Sequence, residues 1–121
     1  PDVLNMAGLN SFRAARGAPP VAASAMLTRL AQRHARDMAR HGYFDHIDRQ
    51  GRTPGARAKD AGYRYRTIAE NIAVGRSSVD EAIAGWVQSP GHRRNMLNPA
   101  MTEYGIASAD GYWVMVLAKP R

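Results

Sequence analysis

The chain has 121 residues, a length that suits one domain built around one hydrophobic core. Its 45% hydrophobic and 22% charged residues exclude a disordered chain, and no apolar run reaches the roughly 18 residues that span a bilayer. There is no cysteine, which excludes disulfides, thiolate catalysis and cysteine-held zinc, and fifteen of the seventeen basic residues behind the net charge of +7 are arginine.

No repeat, low-complexity segment or linker divides the chain, so residues 1–121 are expected to form a single domain. No signal peptide is visible, and the sequence begins at Pro1 without a methionine, so its start does not report location. Val3 to Arg16 reads as a first helix with Leu4, Leu9 and Phe12 apolar and Gly17 as its stop. Pro19-Pro20 then enforces an extended connection.

The second helix carries the clearest pattern. Ser24 caps it, Leu27, Leu30, Ala31, His34, Ala35 and Met38 recur on one face, and Gly42 ends it. Arg29, Arg33, Arg36, Asp37 and Arg40 fall largely on the opposite face. His34, on the apolar stripe, reads as a hydrogen-bonded packing residue. Tyr43-Phe44-Asp45-His46 forms an aromatic-led loop, and Thr53-Pro54 caps a short helix closed by Gly62.

Ile68 to Val74 reads as a strand carrying Glu70 and Asn71. Ser78 and Glu81 make a capping box ahead of Val79, Ala82, Ile83, Trp86 and Val87, which gives Glu81 a structural role. Ser89-Pro90 repeats the cap-plus-proline signature before a helix reaching Leu97. Tyr104 to Ala109 and Tyr112 to Leu117 pair as a hairpin about Asp110-Gly111, a dipeptide suited to a type I′ turn. Its second strand is apolar on both faces, which predicts a central antiparallel sheet covered by helices on both faces.

Four histidines and three glutamates bound the search for a reactive site. His34 belongs to the core and His41 to an exposed helix end. His46 follows two aromatics in a loop, and His92 falls in the first turn of its helix, where the helix dipole disfavours imidazolium. Glu70 interrupts an apolar strand, so it is partnered or faces a cleft. His46, Glu70 and His92 could bind zinc with an open fourth position, or supply an acid and a base. They lie more than twenty residues apart, and spacing alone does not bring them together.

An ordered series of short motifs adds to this reading. It runs through Leu9-Asn10 with Arg13 and Gly17, then His34-Ala35-Arg36-Asp37-Met38-Ala39, Phe44-Asp45-His46, Gly62-Tyr63 and Ala69-Glu70-Asn71-Ile72-Ala73. It continues through Trp86, Ser89-Pro90-Gly91-His92-Arg93, Asn95-Met96-Leu97, Tyr104-Gly105 and Tyr112-Trp113-Val114. In this order the chain resembles the bacterial branch of the CAP superfamily, the cysteine-rich secretory, antigen 5 and pathogenesis-related 1 proteins.

The resemblance implies an α-β-α sandwich, an extracytoplasmic location, and a shallow cleft lined by two histidines and two acids. Carried over by motif, the histidines are His46 and His92 and the first acid is Glu70. The second acid position is Ser89 here, a departure that removes one carboxylate and that a helix-capping role explains. Asn71 should point to the face opposite Glu70 and act structurally. Tyr43, Arg93 and Arg94 are candidates for the cleft rim or for solvated surface.

Three functions stay open at this point. A binding or cell-envelope module would use the cleft without turnover, with a divalent metal, zinc by preference, on His46 and His92. A metal-supported hydrolase would cut peptidoglycan, peptide or nucleic acid, with Glu70 orienting a histidine or acting on bound water. A purely structural polar cluster is the third. The arginine excess suits an anionic envelope polymer, a lipid headgroup or, behind these, nucleic acid, and a protein partner is also open. The same arginines, scattered along the sequence, read equally as a solvated basic surface.

Overall fold

The computed structural model describes residues 2–121, with side chains from Gly8 onward. Leu4, expected on the apolar face of the first helix, lies outside the described side chains. Helix α1 spans Asp2–Ala15, β1 Ala22–Ala23, α2 Ala25–His41, α3 Pro54–Asp60 and β2 Tyr65–Val74. Helices α4 (Val79–Val87) and α5 (Pro90–Leu97) precede strands β3 (Glu103–Ala109) and β4 (Tyr112–Pro120).

The local signals act where they were placed. Ser24 Oγ accepts from Leu27 N at 3.2 Å, Thr53 Oγ1 from Ala56 N at 3.0 Å and Ser78 Oγ from Glu81 N at 3.1 Å. Each satisfies one N–H that the helix start leaves free. The return half of the Ser78–Glu81 box is displaced by one residue, because Glu81 Oε1 accepts from the N–H and hydroxyl of Ser77 rather than from Ser78 N. Asp110 (φ 48°) and Gly111 (φ 82°) both take positive φ, as a type I′ turn demands.

The sheet order is β1-β3-β4-β2, which makes β2 an edge strand and β4 an inner one. The three long strands pair antiparallel, with Asn71 opposite Met115 and Ile106 opposite Met115 on the other side. Strand β1 adds a two-residue parallel edge against β3 that the sequence did not announce. Two residues carry no periodicity, and the extended chain after Pro19-Pro20 simply reaches the sheet there.

Alternation along β4 divides the core. Val114, Val116 and Ala118 pack with Leu27, Leu30, Ala35 and Met38 of α2 and Ala58 of α3. Met115 and Leu117 pack the other way with Leu9 of α1, Ile83 and Trp86 of α4 and Met96 of α5. The result is helices on both faces of one sheet. Helix α2 lies directly on β3, because a Cβ at Gly105 would fall on the Thr28 backbone.

Candidate functional site

The site forms along β2, where two neighbouring residues point to opposite faces. Glu70 points toward the α2 and α3 layer. Its carboxylate is buried, with the side chain 1% exposed, and neither oxygen is free of a partner. His46 Nδ1 lies 2.9 Å from Oε1, and Arg57 Nη1 donates to Oε2 at 3.1 Å. Arg57, on α3, is buried as well, and its Nη2 donates to the His46 carbonyl. One guanidinium therefore holds both the carboxylate and the backbone of the residue that the carboxylate orients.

The loop that delivers His46 is tied at several points. Gly42 ends α2 in the left-handed region at φ 67°, and His34 Nε2 bonds the Asp45 carbonyl at 2.8 Å. That bond fixes the His34 tautomer with its proton on Nε2. Tyr43 donates its hydroxyl to Asp37, and Asp48 accepts from Gln50 N, Arg52 N and Arg52 Nε. His34 is thus the packing histidine expected of it, and it also positions the site loop.

Asn71, on the other face, is fully buried. It donates to the His92 carbonyl at 3.2 Å and accepts from Asn95 Nδ2 at 2.9 Å. The strand thereby seats both histidine segments: Glu70 holds His46 from one layer, and Asn71 holds the His92 backbone from the other. Asn71 is structural, as expected.

The two histidines differ electrostatically. The hydrogen bond to Glu70 raises the His46 pKa above the ordinary imidazole value, against burial, with the Glu70 charge adding to the rise. Its side chain remains 47% exposed, so the ring can meet a ligand. Burial lowers His92, and the charge of His46 lowers it further. Neutral His92 was expected from the helix dipole; burial and its neighbour histidine are the causes here.

A groove of about 300 Å³ runs beside His92 between Phe44, Val74, Trp86 and Ser89. Phe44 and Val74 are 48% and 46% exposed, and Ile47 of the same loop as Phe44 is also open to solvent. Ser89 holds the N-cap position of α5, but its side chain makes no capping bond. This corrects the capping role assigned from the sequence. Ser89 closes the tight α4–α5 link, with its N–H on the Trp86 carbonyl, and its hydroxyl makes no bond to the helix. Arg93 and Arg94 line a separate depression with Pro90 and Leu97, and Tyr43 bonds Asp37; none lines the groove.

Among the described residues no three of His, Asp and Glu converge to hold a metal ion. Glu70 is taken by Arg57 and His46, which leaves two imidazoles as donors, short of the three protein ligands of a catalytic zinc. The donor set does not fit that group, and no step is routed through an ion. Sequence reasoning missed Arg57 and Asp48 altogether. The only local signal of Arg57 is a lone arginine inside a seven-residue helix, which reads as surface, and Asp48 is one acid in a polar loop.

The model of the cysteine-rich secretory protein (CAP) family matches residues 6–117. An uncharacterised Bacillus subtilis protein, YkwD, is 35% identical over 97 residues, spanning 80% of this chain and 38% of that protein. The SCP domain of an extracellular protein from Bacillus anthracis superposes with a TM-score of 0.89 at 28% identity, over 95% of this chain and 40% of that one. An outer surface protein of Borrelia burgdorferi shares the fold with a TM-score of 0.88 at 18% identity, over 99% of this chain and 92% of its own. The chain spans about two fifths of the length of YkwD and of the Bacillus anthracis protein.

Proposed function

The chain belongs to the cysteine-rich secretory protein (CAP) family, and from that premise we propose that it is an extracytoplasmic, cell-envelope-associated binding module whose cleft is built on His46, Glu70 and His92. The observation that carries this reading is the engagement of Glu70. A carboxylate bonded by a buried arginine at 3.1 Å and an imidazole at 2.9 Å is an anchor, not a base waiting for a proton. What the site offers a ligand is a half-exposed His46 donor, two residues along the loop from Phe44, and a groove at His92 lined by Phe44, Val74 and Arg76. That combination fits a ligand with an acceptor or anionic group and an apolar part, such as a wall peptide, an envelope polymer or a lipid. The extracellular description of the Bacillus anthracis protein, and the absence among the described residues of a helix long and apolar enough to cross a membrane, agree with the proposed location.

One observation favours a hydrolase as the second reading. The His46–Glu70 bond is the arrangement that orients a general base in acyl and phosphoryl chemistry. Its substrate would be peptidoglycan, peptide or nucleic acid. Two imidazoles, His46 and His92, the first tied to Glu70 through Nδ1, fall short of a metal site, so calorimetric titration should show no heat at millimolar zinc; one site per chain lost in both His46→Ala and His92→Ala would contradict this.

Co-sedimentation with purified bacterial sacculi separates module from enzyme. The protein should pellet with the wall and release no soluble fragments, and His46→Ala and Phe44→Ala should each weaken pelleting several-fold while circular dichroism shows the fold retained at the assay temperature. Time-dependent fragment release that disappears in His46→Ala would establish the hydrolase instead.

A further inference from the structure

Helix α2 presents a second feature, independent of the cleft. At 100° per residue, Arg29, Arg33, Arg36 and Arg40 fall within an arc of about 60° and climb about 16 Å along the axis. All four are exposed. None takes part in an ion pair among the described residues, where the paired arginines are Arg52 and Arg57. The one acid of the helix, Asp37, is occupied by His41 at 3.7 Å and by the Tyr43 hydroxyl. The arginines that read as scattered along the sequence therefore form a straight ridge on the outer surface of the α2 layer without a direct ion pair among the described residues. The nearby Asp60, which lines one depression with Arg29 and Arg33, is bonded to Arg52.

Such a ridge costs stability. Like charges three and four residues apart on a helix repel, and the ridge contains three such pairs. A glutamate at Arg33 or Arg36 would turn repulsion into attraction on the same exposed face. Four arginines with no acid among them are explained by a partner that supplies the missing negative charge.

The shape of the ridge selects that partner. Successive Cα positions rise along the axis by about 6, 4.5 and 6 Å, which sets the side chains in a row of bidentate phosphate grips and not a plane. Among the described residues the exposed large apolar side chains are Phe44, Ile47 and Val74, and none is on α2, so the helix has nothing to insert into a bilayer. We propose that the outer face of α2 binds a linear phosphate-bearing polymer, gripped in series by Arg29, Arg33, Arg36 and Arg40. The cleft and the ridge then hold two separate ligands on one small domain, and neither proposal depends on the other.

Fluorescence anisotropy with end-labelled inorganic polyphosphate tests the ridge in the whole protein. Four phosphate contacts predict a log–log salt slope of about −3, falling to about −1.5 in Arg33→Gln/Arg36→Gln with at least tenfold weaker binding. Arg64→Gln/Arg66→Gln removes the same charge from exposed positions at the start of β2 and should change binding less than threefold. Equal losses in the two double variants would overturn the ridge in favour of diffuse net charge. Binding to vesicles of 7:3 phosphatidylcholine and phosphatidylglycerol with none to polyphosphate would overturn it in favour of a membrane. No binding to either in low salt would overturn it outright.

Discussion

Glu70→Ala should destabilise the protein by roughly 3–5 kcal/mol, the cost of stranding one partner of a buried ion pair. In the wild type Arg57 is buried against Glu70 at 3.1 Å, and its next carboxylate, Asp48, stands off at 3.9 Å. The variant leaves the guanidinium with the His46 carbonyl as its one remaining hydrogen-bond acceptor and releases the His46 ring. For a domain of this size the melting temperature should fall by roughly 10 °C or more, read by circular dichroism. The double variant Glu70→Leu/Arg57→Met should recover much of that loss, because apolar replacement of both members is often close to neutral. A loss below about 1 kcal/mol for the single variant would mean that Arg57 is solvated rather than locked to Glu70.

Arg13→Ala is the second large loss, and it concerns assembly of the layers. The Arg13 side chain is 0% exposed and meets no carboxylate. Instead it donates to four backbone carbonyls: Pro19 at 2.7 Å, Met96 at 2.8 Å, Asn98 at 3.1 Å and Met101 at 3.5 Å. One fork thus fastens the end of α1, the extended connection behind it and the chain leaving α5. Truncation orphans several buried carbonyls at once, and we expect a cost of roughly 3 kcal/mol or more in urea unfolding. Arg13→Lys should recover little, since a lysine ammonium cannot reproduce a planar fork aimed at separate carbonyls. Full stability in Arg13→Lys would show that charge alone suffices there.

These two arginines mark the boundary of what the sequence discloses. Caps at Ser24, Thr53 and Ser78, the Asp110-Gly111 turn and the apolar stripe of α2 are local chemistry, and each is read from a few adjacent residues. The burial of Arg13 and Arg57 is decided by chain segments far away, Met96 for one and Glu70 for the other, so their spacing carries no sign of it. His46 and Glu70 are 24 positions apart, and their pairing was legible through the family pattern and not through periodicity. Ser89 shows the reverse error. Its cap-plus-proline signature is sound as sequence chemistry, yet the tight α4–α5 link leaves the side chain without the capping bond. The arginine ridge lies between these cases, because its spacing is local but its lack of partners is a property of the fold.

The pH dependence follows from the same pairing, with opposite signs at the two histidines. The folded pKa of His46 is raised, so its pairing stabilises the fold fully below the unfolded value of about 6.5 and is lost as pH climbs through the folded value. His92 is lowered, so the unfolded chain takes up its proton first, and stability falls as pH drops below about 6.5.

The binding cleft stands or falls on Glu70 as an anchor that holds the His46 pKa above the ordinary imidazole value while burial holds His92 below it. Nuclear magnetic resonance titration of the histidine rings, in chelated buffer, on wild type and Glu70→Gln reads this directly. His46 should titrate above the ordinary imidazole value and His92 below it, and Glu70→Gln should bring His46 down. A His46 that titrates at or below the ordinary value, or one that does not move in Glu70→Gln, would refute the anchor.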